Sequence, residues 1–474
     1  MDMTARDVAT WTGGVLAGAP NGLRVTSCTL DSRTASPGAL FVAVVGDRVD
    51  GHDFATAAAR AGARLALVER PVPGPHVLVA DTAGALGDLA RAHLAALRSD
   101  GRRHRAPSVR VVAVTGSVGK TTTKDLLARV CGVLGPTTAA KGSYNNQFGL
   151  PLTILAATPE TEFLVVELGA NHAGEIAALA AIATPDIGIV LGVAPAHLGE
   201  FGSIEAIAAA KGELPAGLGP DATAVLNGDD LWVAAMPTPA KRLIFGTSPD
   251  AGVRARAVVT DARGHVSVDI DTPKGPLHLA TALVGAHHGI NVVAAAAGGI
   301  ALGATPEQIG DALNGAGADS RHRMALIDLP GGVRLLDDAY NANPASSAAA
   351  LAALTETAVA TGAQSWAVLG EMLELGSHSV EAHLALGRLA ATLGVTRLIA
   401  VGEGARPIAT GALAAGMGPQ AVEFWDPAPG PQEIMEAVEA EATNTVILIK
   451  GSLRVGLWRL ADALAEAAST GGEA

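Results

Sequence analysis

Apolar residues fall along this chain in short β-branched runs, separated by longer Ala- and Leu-rich stretches at helical spacing. Early on, Leu40-Phe41-Val42-Ala43-Val44-Val45 predicts a strand, Phe54 to Ala63 a helix and Arg64-Leu65-Ala66-Leu67-Val68 another strand. A new unit opens at Val109-Arg110-Val111-Val112-Ala113-Val114, a run suited to a buried parallel strand. A turn and a helix over Lys124 to Leu134 follow. Phe163 to Leu168, Ile187 to Leu191 and Ala222 to Leu226 read as further strands with helices between them, which predicts a parallel sheet with crossover helices. Past about residue 318 the pattern restarts. Strands are predicted at 333–337, 365–369, 396–401 and 445–449, with helices near 345–361 and 378–393, a second doubly wound unit.

Three α/β domains are therefore expected, at 1–106, 107–318 and 319–474. The basic stretch Arg102-Arg103-His104-Arg105, followed by Pro107, reads as an exposed linker between the first two. Thr281 to Pro306 carries no formal charge, but is rich in Ala and Gly and holds His287, His288 and Asn291. A buried helix of a soluble domain is the expectation there, not a membrane span.

Composition narrows the chemistry. Of 474 residues, 49% are hydrophobic and 17% charged, enough apolar surface for large cores and too little charge for a disordered chain. Aromatics are 3%, so stacking platforms for single-stranded nucleic acid are not expected. The net charge of −13 gives no general attraction to nucleic acid or anionic membranes, so a phosphate-bearing partner must be held by local devices. Cys28 and Cys131 lie far apart without metal-ligand spacing, and the N-terminus, with Asp2, Arg6 and Asp7, lacks the pattern of a secretion signal. A cytoplasmic, monomeric protein is expected.

One local device is plain. Thr115-Gly116-Ser117-Val118-Gly119-Lys120-Thr121-Thr122 stands between a strand and a helix, where loop N–H groups and the helix dipole grip phosphates. Lys120 is expected on the β/γ-phosphates and the Thr121 hydroxyl on Mg²⁺. Val114 occupies the first glycine position of the strict P-loop pattern. Glu167, at the end of a strand expected beside the loop strand, is placed for the same cation, and His197 follows another strand at that edge. Lys211 lies on a helix nearly bare of other charge.

At these residues the chain resembles the Mur ligase family, the ATP-dependent amide-forming enzymes of peptidoglycan precursor synthesis. The resemblance continues through Gly142-Ser143-Tyr144-Asn145-Asn146-Gln147, Glu167-Leu168-Gly169-Ala170-Asn171, Ala196-His197-Leu198-Gly199-Glu200 and Ala210-Lys211-Gly212-Glu213. It extends to His287 with Asn291, Arg323-Met324, Asp338-Ala339-Tyr340-Asn341-Ala342-Asn343-Pro344 and Lys450-Gly451-Ser452. The Asp338–Pro344 stretch is most similar to the branch that joins D-alanyl-D-alanine to UDP-N-acetylmuramoyl-tripeptide.

The resemblance implies a UDP-binding first domain, a central ATPase domain and a Rossmann-like C-terminal domain. It implies that Ser32, Arg33, Asp50, Gly51 and His52 serve the UDP end, with Asn145, Asn146 and Asn343 near the sugar or phosphates. Asn291, Arg323, Asp338 and Asn341 would join Gly116 to Thr122 around ATP. Thr121, Glu167 and His197 would hold Mg²⁺, and Lys120, Glu167, His197 and Lys211 would carry catalysis, Lys211 as a carbamate. Leu453 stands where many members read Arg, and Gly192 where Asn is common. A paralogue joining another amino acid and a folylpolyglutamate-type ligase are the alternatives within the fold. A nucleotide-dependent regulator without ligation is the alternative outside it.

Overall fold

The computed structural model describes residues 1–46, 49–104, 108–195, 198–440 and 444–470. Three sheets, one after another along the chain, organise it. The first contains Val15–Ala17, Ser27–Thr29, Ala39–Val42, Leu65–Val68 and His76–Leu78, the last four parallel in chain order and the first antiparallel against the last. The strand predicted to reach Val45 stops at Val42. The predicted basic linker is corrected: Arg102 to His104 complete a helix, Thr82–His104. Arg105 and Pro107 lie outside the described residues.

The central sheet has nine strands. We label them β1 (Arg110–Thr115), β2 (Thr137–Ala139), β3 (Phe163–Glu167), β4 (Ile187–Val190), β5 (Thr223–Asn227), β6 (Lys241–Gly246), β7 (Val253–Thr260), β8 (His265–Thr272) and β9 (Gly275–Val284). Their order is β9-β8-β7-β6-β5-β4-β1-β3-β2. β2 through β7 pair in parallel around β1, as expected, but β7, β8 and β9 form an antiparallel meander that parallel-sheet reasoning did not predict. The charge-free stretch from Thr281 accordingly begins as the end of β9. Its helix, α5, occupies only Gly289–Leu302.

Four helices of this unit position the site. They are α1 (Lys120–Leu134), α2 (Glu175–Ala183), α3 (Leu198–Phe201) and α4 (Ile204–Ala216). α1 starts at Lys120, a full turn before the predicted Lys124. It packs against α5, whose small residues permit close approach: a Cβ on Gly298 would lie 2.5 Å from Leu127 Cδ2. The Ala- and Gly-rich composition thus allows dense helix–sheet packing with few aromatics.

The third sheet comprises β10 (Ala325–Asp328), β11 (Arg334–Asp338), β12 (Gln364–Gly370), β13 (Arg397–Val401), β14 (Val422–Trp425) and β15 (Thr445–Lys450), in the order β10-β11-β15-β12-β13-β14. All but β10 run parallel, and Trp366 is fully buried in the core beneath. Helices α6 (Pro344–Thr361) and α7 (Ser379–Thr392) fall where the sequence predicts them. The linker before β10 is moored to α1 of the central unit. Ser320 Oγ donates to Asp125 Oδ2 at 2.7 Å, and Arg129 Nε donates to Asp319 Oδ2 at 2.8 Å. His322 and Met324 in this linker both adopt positive φ, which is strained for residues with a side chain.

Candidate active site

The phosphate loop connects β1 to α1. Gly119, the N-cap of α1, has φ +82, a backbone conformation that favours glycine, and a Cβ there would lie 2.3 Å from Asn291 Oδ1, so a side chain would displace that amide. Val114, in the first glycine position of the strict pattern, is buried inside β1, so the strand simply runs on through it. Lys120 Nζ donates to Gly116 O at 2.9 Å. Burial lowers its pKa, opposed by nearby Glu167.

Glu167 ends β3, and its register partner is Val114 of β1, which brings the carboxylate to the loop. Thr121 Oγ1 donates to Glu167 Oε2 at 2.9 Å and lies 3.0 Å from Ser143 Oγ. Asn145 Nδ2 donates to Glu167 Oε1 at 2.7 Å. Around Thr121 the donors are hydroxyl and carboxylate oxygens, the set a hard cation such as Mg²⁺ prefers. No group of three or more His, Cys, Asp or Glu among the described residues could hold a metal alone. His197 lies outside the described residues.

Lys211, on α4, is 3% exposed, with its Nζ 5.8 Å above the Phe201 ring. Burial, followed by repulsion from Lys120, pulls its pKa down to about 7.

The C-terminal unit closes the site. Arg323 Nη2 donates to Ser143 Oγ at 2.9 Å and to Thr121 Oγ1 at 3.3 Å, and the guanidinium lies 4.2 Å over the Tyr340 ring. Asp338 and Lys450 are neighbours in the β11–β15 register and form a buried ion pair; Lys450 Nζ also donates to Asn341 O at 2.9 Å. Asn291 hydrogen-bonds His288 on the opposite wall. Burial holds His287 at about 4 and His288 well below its usual value, so both imidazoles are neutral at pH 7.

Ser117 through Thr122, Glu167, Lys211, Asn145, Asn146, Asn291, Arg323, Asp338, Asn341 and Asn343 all line one cavity of about 610 Å³. Sequence reasoning did not single out Ser143, Tyr340 or Lys450 as site residues, although each stands in a motif it noted. The residues expected at the UDP end lie away from this cavity. Arg33 pairs with Asp31 on the exposed turn that includes Ser32. His52 is buried, its Nε2 accepting from Glu69 N and its Nδ1 donating to Asp50 Oδ1 at 2.6 Å. A Cβ on Gly51 would lie 2.7 Å from Val44 N.

Residues 24–94 match the catalytic domain of the Mur ligase family, 114–299 the Mur ligase middle domain and 322–453 the Mur ligase glutamate ligase domain. A UDP-N-acetylmuramoyl-tripeptide–D-alanyl-D-alanine ligase of Mycobacterium tuberculosis is 41% identical over 434 residues, covering 85% of this chain and 84% of that one. The chain belongs to the Mur ligase family. Among solved structures, MurF from Acinetobacter baumannii superposes with a TM-score of 0.84 at 29% identity, covering 98% of this chain and 99% of that one. MurF from Thermotoga maritima, in complex with ADP, gives 0.76 at 26% identity, covering 94% and 99%. For this Mur ligase family member the resemblance drawn from the motifs holds, as does the three-part α/β architecture.

Proposed function

We propose that this chain is the ATP-dependent ligase that joins D-alanyl-D-alanine to the terminal carboxylate of UDP-N-acetylmuramoyl-tripeptide, in peptidoglycan precursor synthesis. The carrying observation is the convergence of Lys120, Thr121, Glu167 and Lys211 with Arg323, Asp338 and Lys450 in one cavity between two units.

A free carboxylate is a poor acyl donor. Transfer of the γ-phosphoryl group gives an acyl phosphate, and attack by the dipeptide amine passes through a tetrahedral intermediate that expels phosphate. The protein's task is positioning and charge neutralisation. Lys120 and the loop N–H groups take the β/γ-phosphates, and Arg323 meets the γ-phosphoryl end from the other unit. Thr121 and Glu167, together with His197 on the family resemblance, are the residues to hold Mg²⁺, which when bound offsets phosphate charge. Asp338, fixed by Lys450, suits the ribose hydroxyls.

Lys211 is the candidate carbamate. With its pKa near 7 a good share of the amine is neutral at physiological pH. That amine can attack CO₂, forming an N–C bond and releasing a proton. The product replaces a buried cation repelled by Lys120 with an anion attracted to it. We further propose domain boundaries near 106 and 318, a UDP site on the first domain, and a monomer working in the cytoplasm. No helix of the described residues is long and apolar enough to cross a membrane.

Phosphate release is measured with ATP and both substrates, using tripeptides that end in lysine and in diaminopimelate. Release that requires both partners, with a product of pentapeptide mass, is the expected result; none with either tripeptide sinks the assignment.

A further inference from the structure

Beside the catalytic cavity lies a second one of about 540 Å³. Ser143, Arg323 and Tyr340 line both, so they form a common wall. Arg323 is the charged member of that wall. It hydrogen-bonds Ser143 and Thr121, stacks on Tyr340 of its own unit, and has no carboxylate partner among the described residues. On the ligase reading, the γ-phosphoryl group sits at Thr121. The side chains of Ser143, Arg323 and Tyr340 then separate the phosphate end of the catalytic cavity from the second cavity.

The second cavity carries more cationic than anionic side chains on its wall. Lys124, Lys141, Arg321 and Arg323 line it against Asp125 and Asp319. Both carboxylates are already engaged, Asp125 by Lys124 and Ser320, Asp319 by Arg129. Arg321 pairs with Asp462, whereas Lys141 is exposed and makes no ion pair among the described residues. Leu453, 45% exposed, contributes part of the far wall.

We propose that this second cavity is the exit path for inorganic phosphate, entered when Arg323 swings away from Thr121 and Ser143 with the anion. The proposal rests on the ligase reading. After the amide bond forms, the released phosphate is flanked by nucleotide on one side and peptide product on the other. Beyond Arg323 the route meets Lys141, which has no ion-pair partner among the described residues, and a guanidinium matches two phosphate oxygens at once. Phosphate can then leave without waiting for either larger product.

The test uses Lys141→Glu and Leu453→Trp, neither of which alters a group placed in catalysis. Single-turnover amide formation is followed by rapid quench, and phosphate release by a fluorescent phosphate sensor. In both variants amide formation should match the parent while phosphate release slows roughly tenfold, from reversed field in one and a plugged path in the other. Lys141→Glu changes only an exposed side chain, so the answer does not depend on how Leu453→Trp folds. Release that keeps pace with amide formation in either variant overturns the exit path and leaves the ligase reading standing. Absence of amide in the parent overturns both.

Discussion

At Lys211, burial and the neighbouring charge of Lys120 make the protonated amine costly, and replacement by methionine removes that cost. The folded pKa is about 7 against an ordinary 10.5, so between those values the unfolded chain binds a proton that the folded chain does not. Stability from this group therefore rises with pH across that window. In CO₂-depleted buffer Lys211→Met should be more stable than the parent at pH 7, by on the order of a few kcal/mol, with the gap closing toward pH 10. Denaturant titration at several pH values checks this. The same variant should lose nearly all ligase activity, and ¹³CO₂ should give a carbamate NMR signal only in the parent. Glu167→Gln keeps the shape but removes the charge beside Thr121. It should lower kcat by about 10²–10³ or more, with little change in KM for the dipeptide, as steady-state kinetics will show. The loop and Glu167 were legible because each stands in a contiguous motif at a strand or helix end, and Lys211 because it is the lone cation on a mostly apolar helix. Arg323 and Asp338 could be named only through resemblance, since their place depends on how two units meet. The Asp338–Lys450 pair was hidden because β15 inserts beside β11 out of chain order.

Among elements, α6 shows a residue with a second duty. Asn343, expected at the substrate, caps this helix: its Oδ1 accepts from Ser346 N at 2.8 Å and Ser346 Oγ accepts from Asn343 N in return. Asn343→Ala should cost about 1 kcal/mol in thermal unfolding, whereas Asn343→Ser should nearly restore it. Activity lost equally in both variants would assign the side chain to substrate rather than to the cap. On α5, Gly298→Val drives a branched side chain against Leu127 and Ile189 and should destabilise by about 1–3 kcal/mol, read from a melt. The strands and helices of both doubly wound units were legible because buried parallel strands are short, β-branched and bounded by helices. The meander was missed although His265-Val266-Ser267-Val268-Asp269-Ile270-Asp271 alternates strictly. An expectation of strand–helix alternation ran through it. The basic end of the Thr82–His104 helix was read as linker because its charges resemble a solvated connection.

For the whole molecule, the site is complete only where the third unit reaches the second. Nucleotide and UDP substrate should therefore favour compact arrangements, visible as a smaller radius of gyration in solution scattering. Combining Arg129→Ala with Ser320→Ala unmoors the linker and should enlarge the unliganded particle while leaving each unit folded; an unchanged scattering profile would show that these contacts do not set the arrangement. The ion pair is half-exposed and worth little as stability, so its effect should appear in geometry rather than in melting temperature.

That mooring has a mechanical consequence. α1 begins at Lys120, at the end of the Gly116–Gly119 loop, and holds the linker through Asp125 and Arg129 farther along the same rod. Nine residues of helix span about 13.5 Å, so a tilt of about 5° at the loaded end displaces the far attachment by about 1 Å. α1 is thus one continuous rod between the phosphate loop and the linker that carries His322 and Met324, the two residues of positive φ just before β10.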